Sequence, residues 1–139
     1  MRIYKLSTLL LTFLLIGACS NLNQPKKEGH VLPGTRTAVN DIYVREGKPA
    51  VRYNTVVLKN GQRIVFAGPD EFRIVFKNES LFEDASDNEP GDYRSRDGII
   101  ILRVSDEKTA RLKDGTVFKY SVFVNGVELD PFIRWVKDN

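Results

Sequence analysis

Three dipeptides, Asn60-Gly61, Asp114-Gly115 and Asn125-Gly126, divide the chain beyond residue 38 into short segments. Asn-Gly and Asp-Gly favour two-residue hairpin turns, because both central positions of such a turn need a positive φ. Between the turns, apolar residues alternate with polar ones, and β-branched and aromatic residues are frequent. No helical period of useful length interrupts them. The pattern therefore predicts a domain of short β-strands.

Individual strands follow from the same alternation. The first strand is predicted at residues 42–44, and Asn60-Gly61 is predicted to join Thr55–Leu58 to residues 62–67 as a hairpin. Residues 99–102 are continuously apolar, which is typical of a central strand buried on both faces.

The C-terminal part of the chain contains the longest predicted strand, residues 117–124. A return strand follows the Asn125-Gly126 turn. Pro131 cannot donate a hydrogen bond to a strand ladder, so it marks an edge or a kink in the return strand.

About seven to nine short strands in about 100 residues indicate a β-sandwich or a small barrel. Of these we predict the small antiparallel β-sandwich, an all-β fold. We place the domain at residues 38–139, after a signal peptide at residues 1–18 and a flexible tether at residues 19–37. The tether is predicted from its Asn, Gln, Pro, Lys and Gly content, which leaves little apolar surface to bury.

The N-terminus has the residue order of a secretory signal. Arg2 and Lys5 carry positive charge, residues 6–16 are almost wholly apolar, and two small residues follow. A membrane-spanning helix needs roughly 20 apolar residues, but this chain turns polar after Ala18. We therefore expect residues 1–18 to be cleaved off.

Ile16-Gly17-Ala18-Cys19 resembles the lipobox of bacterial lipoprotein precursors, in which an aliphatic residue and two small residues precede a cysteine. The resemblance covers residues 1–19. It implies cleavage before Cys19, a diacylglyceryl thioether on the Cys19 thiol, and acylation of the new amine, for example with palmitate. Cleavage at the same bond with a free Cys19 is the alternative.

The implied anchor is permanent, because two or three acyl chains exceed the single myristoyl chain that gives only marginal membrane binding. Ser20, in place of an aspartate, resembles the outer-membrane sorting pattern of bacteria with two membranes. The expected location is therefore the bacterial cell envelope. There the protein is held on a membrane, facing the periplasm or the cell surface.

Charge and residue usage exclude several classes of function. The formal charge of +3 falls to +1 when Arg2 and Lys5 leave, because 19 basic residues then face 18 acidic ones. That balance gives no electrostatic footprint for nucleic acid. Cys19 is the only cysteine, so the domain has no disulfide and depends on its core. His30, the only histidine, lies in the predicted tether, so we expect no catalytic triad, transition metal or cofactor.

Two groups of side chains remain as candidates. Five of the acids in residues 78–97 lack the spacing of an EF-hand, and a solvated loop is favoured over a calcium site: Glu83, Asp84, Asp87, Glu89 and Asp92. Five aromatic residues are candidates for a carbohydrate or peptide platform, although such residues more often fill a core: Tyr43, Tyr53, Tyr93, Phe132 and Trp135.

A second resemblance covers residues 40–137. The segments 72–76, 120–126 and 129–131 resemble those of small bacterial cupredoxin-like or immunoglobulin-like domains. Cupredoxins hold copper with histidines, a cysteine and often a methionine, and residues 20–139 contain no cysteine, no methionine and only His30. The resemblance therefore implies a metal-free sandwich that serves as a binding module.

These observations favour a non-catalytic, lipid-anchored module that binds an envelope protein or glycan, or contributes to envelope assembly. Two alternatives stay open. One is a carbohydrate- or peptidoglycan-active enzyme that uses acids alone, with paired carboxylates roughly 5–10 Å apart. The other is a small-ligand carrier, which needs an apolar cavity of at least about 300 Å³.

Overall fold

The computed structural model describes residues 27–84 and 89–139. The predictions for the signal peptide, for Cys19 and Ser20, and for Asp87 lie outside these residues. Within them, no helix is long and apolar enough to cross a membrane.

Twelve strands and one short helix, α1 at Asp106–Thr109, are formed by the described residues. The strands are, in chain order: β1 Glu28–Gly29, β2 Thr37–Arg45, β3 Lys48–Val51, β4 Thr55–Leu58, β5 Arg63–Ala67, β6 Arg73–Val75, β7 Asp92–Arg94, β8 Ile99–Arg103, β9 Val117–Lys119, β10 Ser121–Val124, β11 Val127–Leu129 and β12 Phe132–Trp135.

The strands make three four-stranded sheets. The first has the order β1-β4-β12-β9, the second β11-β10-β6-β7 and the third β3-β2-β5-β8. The predicted all-β sandwich is confirmed. Its pairing is mixed, because β4 pairs in parallel with β1 and β12, and β2 pairs in parallel with β5. Every other strand pair is antiparallel.

One core joins the three sheets. On each strand the alternation turns every second side chain inward, as on β5, where Ile64 and Phe66 are buried and Val65 is not. Large aromatic side chains meet edge to face at its centre, with the rings of Phe66 and Tyr120 5.6 Å apart. The Leu81-Phe82 pair is also buried in this core.

Two asparagine side chains connect separate parts of the fold. Buried Asn40 accepts from the backbone N–H of Tyr53 at 2.9 Å and donates to the Tyr53 carbonyl at 3.0 Å and to the Tyr120 hydroxyl at 3.3 Å. The carboxamide oxygen of Asn60 accepts from the Thr109 hydroxyl and from the Trp135 indole N–H, both at 2.8 Å. Burial raises the pKa of the Tyr120 phenol well above its usual value.

The folded part of the chain begins before Ala38, in the segment predicted as tether. Glu28–Gly29 pairs in parallel with β4, and Val31 packs against the core. Gly29 fits there because a Cβ at this position would lie 2.7 Å from the Tyr53 ring. A polar composition indicated a linker, but pairing with a neighbouring strand orders these residues without much apolar burial. His30 is exposed, with its Nε2 3.8 Å from a Glu28 carboxylate oxygen.

The three glycine turns differ in backbone conformation. Asn125 and Gly126 both have positive φ, at 50° and 76°, and the predicted hairpin of β10 with β11 is confirmed. At Asn60-Gly61 only the glycine has positive φ, as in a type II turn, and β4 and β5 enter different sheets. The hairpin predicted there is wrong.

The hairpin predicted at Asp114-Gly115 is also wrong. Gly115 has a φ of 80°, the Thr116 N–H donates to the Lys113 carbonyl at 3.1 Å, and no strand directly precedes the turn. It is a single turn that leads into β9.

The predicted strand 117–124 breaks at Tyr120. Its N–H donates to the Pro131 carbonyl at 3.1 Å, and the chain passes there from the first sheet to the second. Pro131 marks the matching break between β11 and β12, so the predicted kink is confirmed. Because of these two breaks, residues 117–124 and residues 127–135 each contribute one strand to the first sheet and one to the second.

Candidate functional site

The five predicted aromatics do not form one surface. Tyr93 and Trp135 are only 1% and 2% exposed and belong to the core, so for them the platform prediction is wrong. Phe132, on β12, is half-buried, and Tyr43, on β2, is 45% exposed in a different sheet. Tyr53 is half-buried, with the charged groups of Arg52 and Lys27 over its ring at 5.4 and 5.8 Å.

Three of the five acids predicted to share one loop make separate ion pairs. Asp92 accepts from the Arg73 guanidinium, with the closest contact 2.6 Å, and this pair raises the pKa of Arg73. Asp84 lies 2.7 Å from the Lys108 ammonium. Glu83 lies 3.7 Å from Arg103 Nε, with both side chains about half exposed. Among the described residues, no three acidic or other metal-ligating side chains come together.

A pair of carboxylates does meet at buried Ser121, although in none of the predicted places. The Ser121 hydroxyl lies 2.6 Å from a Glu128 oxygen and 2.8 Å from an Asp130 oxygen. Lys77 contacts Glu128 at 2.7 Å and Lys119 contacts Asp130 at 2.8 Å. Hydrogen bonds from these lysines lower the pKa of both carboxyl groups. A general acid at neutral pH needs a raised pKa, so this geometry favours a structural role.

The Ser121 network should make the stability of the fold decrease at acid pH. A carboxyl group whose pKa is lowered by folding stabilises the fold above its unfolded pKa, and that contribution is lost as pH falls through the folded pKa. We expect the urea concentration at the midpoint of unfolding to decrease as the pH is lowered below about 4, where ordinary carboxyl groups titrate. The double variant Glu128→Gln and Asp130→Asn should show a weaker pH dependence than the wild type. Glu79→Gln, an exposed acid, should not, and equal curves for all three chains would contradict the prediction.

An exposed aliphatic surface covers the outer side of the third sheet. Cross-strand register places Val39 beside Val65, Val65 beside Ile101, and Ala67 beside Ile99. We call these five residues the aliphatic face. Ile99 and Ile101 are 46% and 61% exposed, although β8 was predicted to be buried on both sides. That prediction is wrong: β8 is an edge strand and not a central one, and only Ile100 and Leu102 turn inward.

Three arginines lie together near the aliphatic face, two of them one register step beyond it and the third in a neighbouring loop. Arg63 and Arg103 are paired directly across β5 and β8, and their side chains point outward like those of Val65 and Ile101. Arg36 precedes β2 and donates from Nη2 to the Asn60 carbonyl at 3.1 Å. A cavity of about 500 Å³ lies among them, also lined by Asn60, Gly61, Asp106 and Asp138. We call it the arginine pocket.

A second cavity of about 500 Å³ lies at the end of the second sheet. Its lining includes Arg73, Arg94, Ser95, Phe123 and Asn125. Charged and polar groups contribute to the lining of both of these cavities.

Comparison with known proteins adds little to this geometry. No family model and no curated protein matches the sequence. The solution structure of a copper-binding protein in its apo form is 13% identical, with a TM-score of 0.39, and the match covers 81% of this chain and 96% of that one. A reduced Cu(I) mutant of amicyanin is 9% identical, with a TM-score of 0.38 and coverage of 78% and 86%. The chemistry of the site therefore has to be argued from its own side chains.

Proposed function

We propose that this chain is a lipid-anchored, non-catalytic module of the bacterial cell envelope that binds a partner protein through the aliphatic face. The lipobox-like residues 16–19 support the anchor. The observation that carries the binding role is the outward exposure of Ile99 and Ile101 beside Val39 and Val65. Contiguous apolar surface of this kind typically marks an interaction site.

The residue types on this face favour a protein over a glycan. Sugar rings are commonly held by stacking on exposed aromatic side chains. The aliphatic face has none, and Tyr43 is its nearest exposed aromatic neighbour on β2. Branched aliphatic side chains on an exposed sheet face instead suit the apolar centre of a protein interface, whose rim is polar.

Site-specific crosslinking in intact cells tests the binding face. A photoreactive amino acid at position 101 should give one discrete crosslinked product, because Ile101 lies on the aliphatic face. The matched control is position 117, since Val117 is 55% exposed on a different sheet. Equal products from both positions, or none from position 101 in native envelopes, would overturn this assignment.

The anchor has a separate test. Cells fed a labelled fatty acid should label the wild-type protein, and Cys19→Ala should lose the label completely, because the Cys19 thiol is the proposed acylation site. The unprocessed variant should also keep its N-terminal residues, giving a larger product on a gel. Ser20→Ala, which leaves the thiol in place, should still be labelled. Label retained by Cys19→Ala would refute acylation at this residue.

A further inference from the structure

The arginine pocket brings like charges together at close range. A Cβ at Gly61 would lie 3.0 Å from Arg36 Nη2 and 3.8 Å from Arg103 Nη2, so two guanidinium groups converge over this glycine. Arg63 faces Arg103 directly across the two strands. Like charges in directly opposed positions of a sheet are destabilising. The fold therefore holds a concentration of positive charge that an anion would relieve.

Two acids, Asp106 and Asp138, line the pocket, and among the described residues neither makes an ion pair with its three arginines. Asp138 lies 3.4 Å from the Lys59 ammonium, and Arg103 makes only the 3.7 Å contact with Glu83, in which both side chains are about half exposed. Within the described part of the chain, no acid makes an ion pair with Arg36 or Arg63. Exposed pairs of this kind contribute little and are easily exchanged. Two or three guanidinium groups thus remain for a ligand.

The number and arrangement of these groups indicate the class of anion. A guanidinium offers a planar fork of N–H donors that matches a carboxylate or a phosphate through two parallel hydrogen bonds. A carboxylate has two oxygens and is satisfied by one fork. A phosphoryl group has several oxygens pointing in different directions and accepts from forks that approach from separate elements, as those of Arg36, Arg63 and Arg103 do.

We propose that the arginine pocket binds a phosphoryl group through Arg36, Arg63 and Arg103. The bare backbone at Gly61 lets the Arg36 guanidinium approach closely, because a Cβ there would lie only 3.0 Å from its Nη2. The same chemistry is offered by soluble phosphate and by the headgroup of an anionic phospholipid. The proposal does not rest on the proposed protein partner, because it is argued only from the side chains around Gly61.

Arginine side-chain NMR tests this site directly. The full chain in neutral detergent micelles, labelled at arginine, is titrated with inorganic phosphate while the Nε–Hε resonances are followed. We expect saturable shifts of a small set of arginine resonances. Arg63→Gln should weaken binding by roughly tenfold, the loss expected for one charge-assisted contact. Acetate at the same concentrations should produce much smaller shifts.

Arg45→Gln is the matched control. Arg45 is exposed at the opposite end of the same sheet and also faces a like charge, Lys48. This variant should bind phosphate as the wild type does. Arg63→Gln should unfold at the same temperature as the wild type or slightly higher, because it relieves the repulsion with Arg103, so weaker binding by this variant is not a sign of misfolding.

A second arm of the experiment separates the two sources of the phosphoryl group. Micelles doped with phosphatidylglycerol are compared with micelles doped with phosphatidylcholine. If the shifts appear at lower concentrations of phosphatidylglycerol than of inorganic phosphate, the ligand of the site is a lipid headgroup. If they appear at lower concentrations of inorganic phosphate, the ligand is a soluble phosphate. Absence of saturable shifts with both probes, an equal response to acetate, or equal weakening by Arg45→Gln would overturn the proposal.

Discussion

Replacing Trp135 by alanine is expected to lower the free energy of unfolding by about 3–5 kcal/mol, the range for truncating a large buried aromatic. Trp135 is the largest of the fully buried side chains, and it closes the first sheet over the core from β12. The substitution also leaves the Asn60 oxygen with one hydrogen bond in place of two. Few single changes in this domain remove as much packing.

Far-UV circular dichroism during urea unfolding is the suitable measurement, because Trp135 is the only tryptophan and its fluorescence disappears with it. Trp135→Phe keeps most of the apolar volume and should cost less than half as much. Leu32→Ala, at a side chain that is largely exposed, should change stability by less than about 0.5 kcal/mol. A Trp135→Ala chain as stable as the Leu32→Ala chain would show that the indole is not part of the core.

The second large effect is expected at Asn40. Asn40→Ala should cost about 3 kcal/mol, because a buried polar group left without its partner loses about 1–3 kcal/mol. The variant leaves the N–H and carbonyl of Tyr53 and the hydroxyl of Tyr120 without the side chain that binds all three. Two of these groups belong to Tyr53 and one to Tyr120, so the substitution weakens the connection of β2 both to the segment before β4 and to the residue before β10.

Two further variants resolve the contributions at Asn40. Tyr120→Phe removes only the 3.3 Å contact and should cost about 1 kcal/mol. Asn40→Asp keeps an oxygen that accepts from the Tyr53 N–H, but it buries a negative charge and loses the N–H that donates to the Tyr53 carbonyl. It should therefore be at least as unstable as Asn40→Ala. Equal stabilities of Asn40→Ala and the wild type in urea unfolding would show that water replaces the carboxamide.

The all-β class could be predicted because alternation is a local property, readable within a few residues. The sheet to which each strand belongs could not. The same Asn-Gly dipeptide makes a hairpin at Asn125-Gly126 but only a turn at Asn60-Gly61, since β4 instead pairs in parallel with β12, more than 70 residues later. Pairing between distant segments decides such cases, and no local pattern contains it.

Burial was predicted less well than strand position. Residues 99–102 are apolar throughout, which indicated burial on both faces, yet two of the four side chains point outward. Alternation shows which residues share a face, but not whether another layer covers that face. The aromatic platform failed for the same reason, because Tyr93 and Trp135 occupy the inner side of their strands.

The arginine pocket leaves only a faint signal in the sequence. Arg63 and Arg103 each lie two residues from an aliphatic residue of the same face, Val65 and Ile101. The two strands run in opposite directions, so only their register shows that both arginines reach the same end of the sheet. Arg36 adds to them from a loop outside any predicted strand.

The position of β4 between β1 and β12 has a consequence for the order in which the protein is made. The middle of the first sheet stays incomplete until the ribosome has synthesised Phe132–Trp135, because β12 separates β4 from β9. Pairings between segments so far apart are slow to form. Completion of the first sheet therefore waits for its last strand, and a chain truncated before Phe132 would lack the pairing that joins β4 to β9.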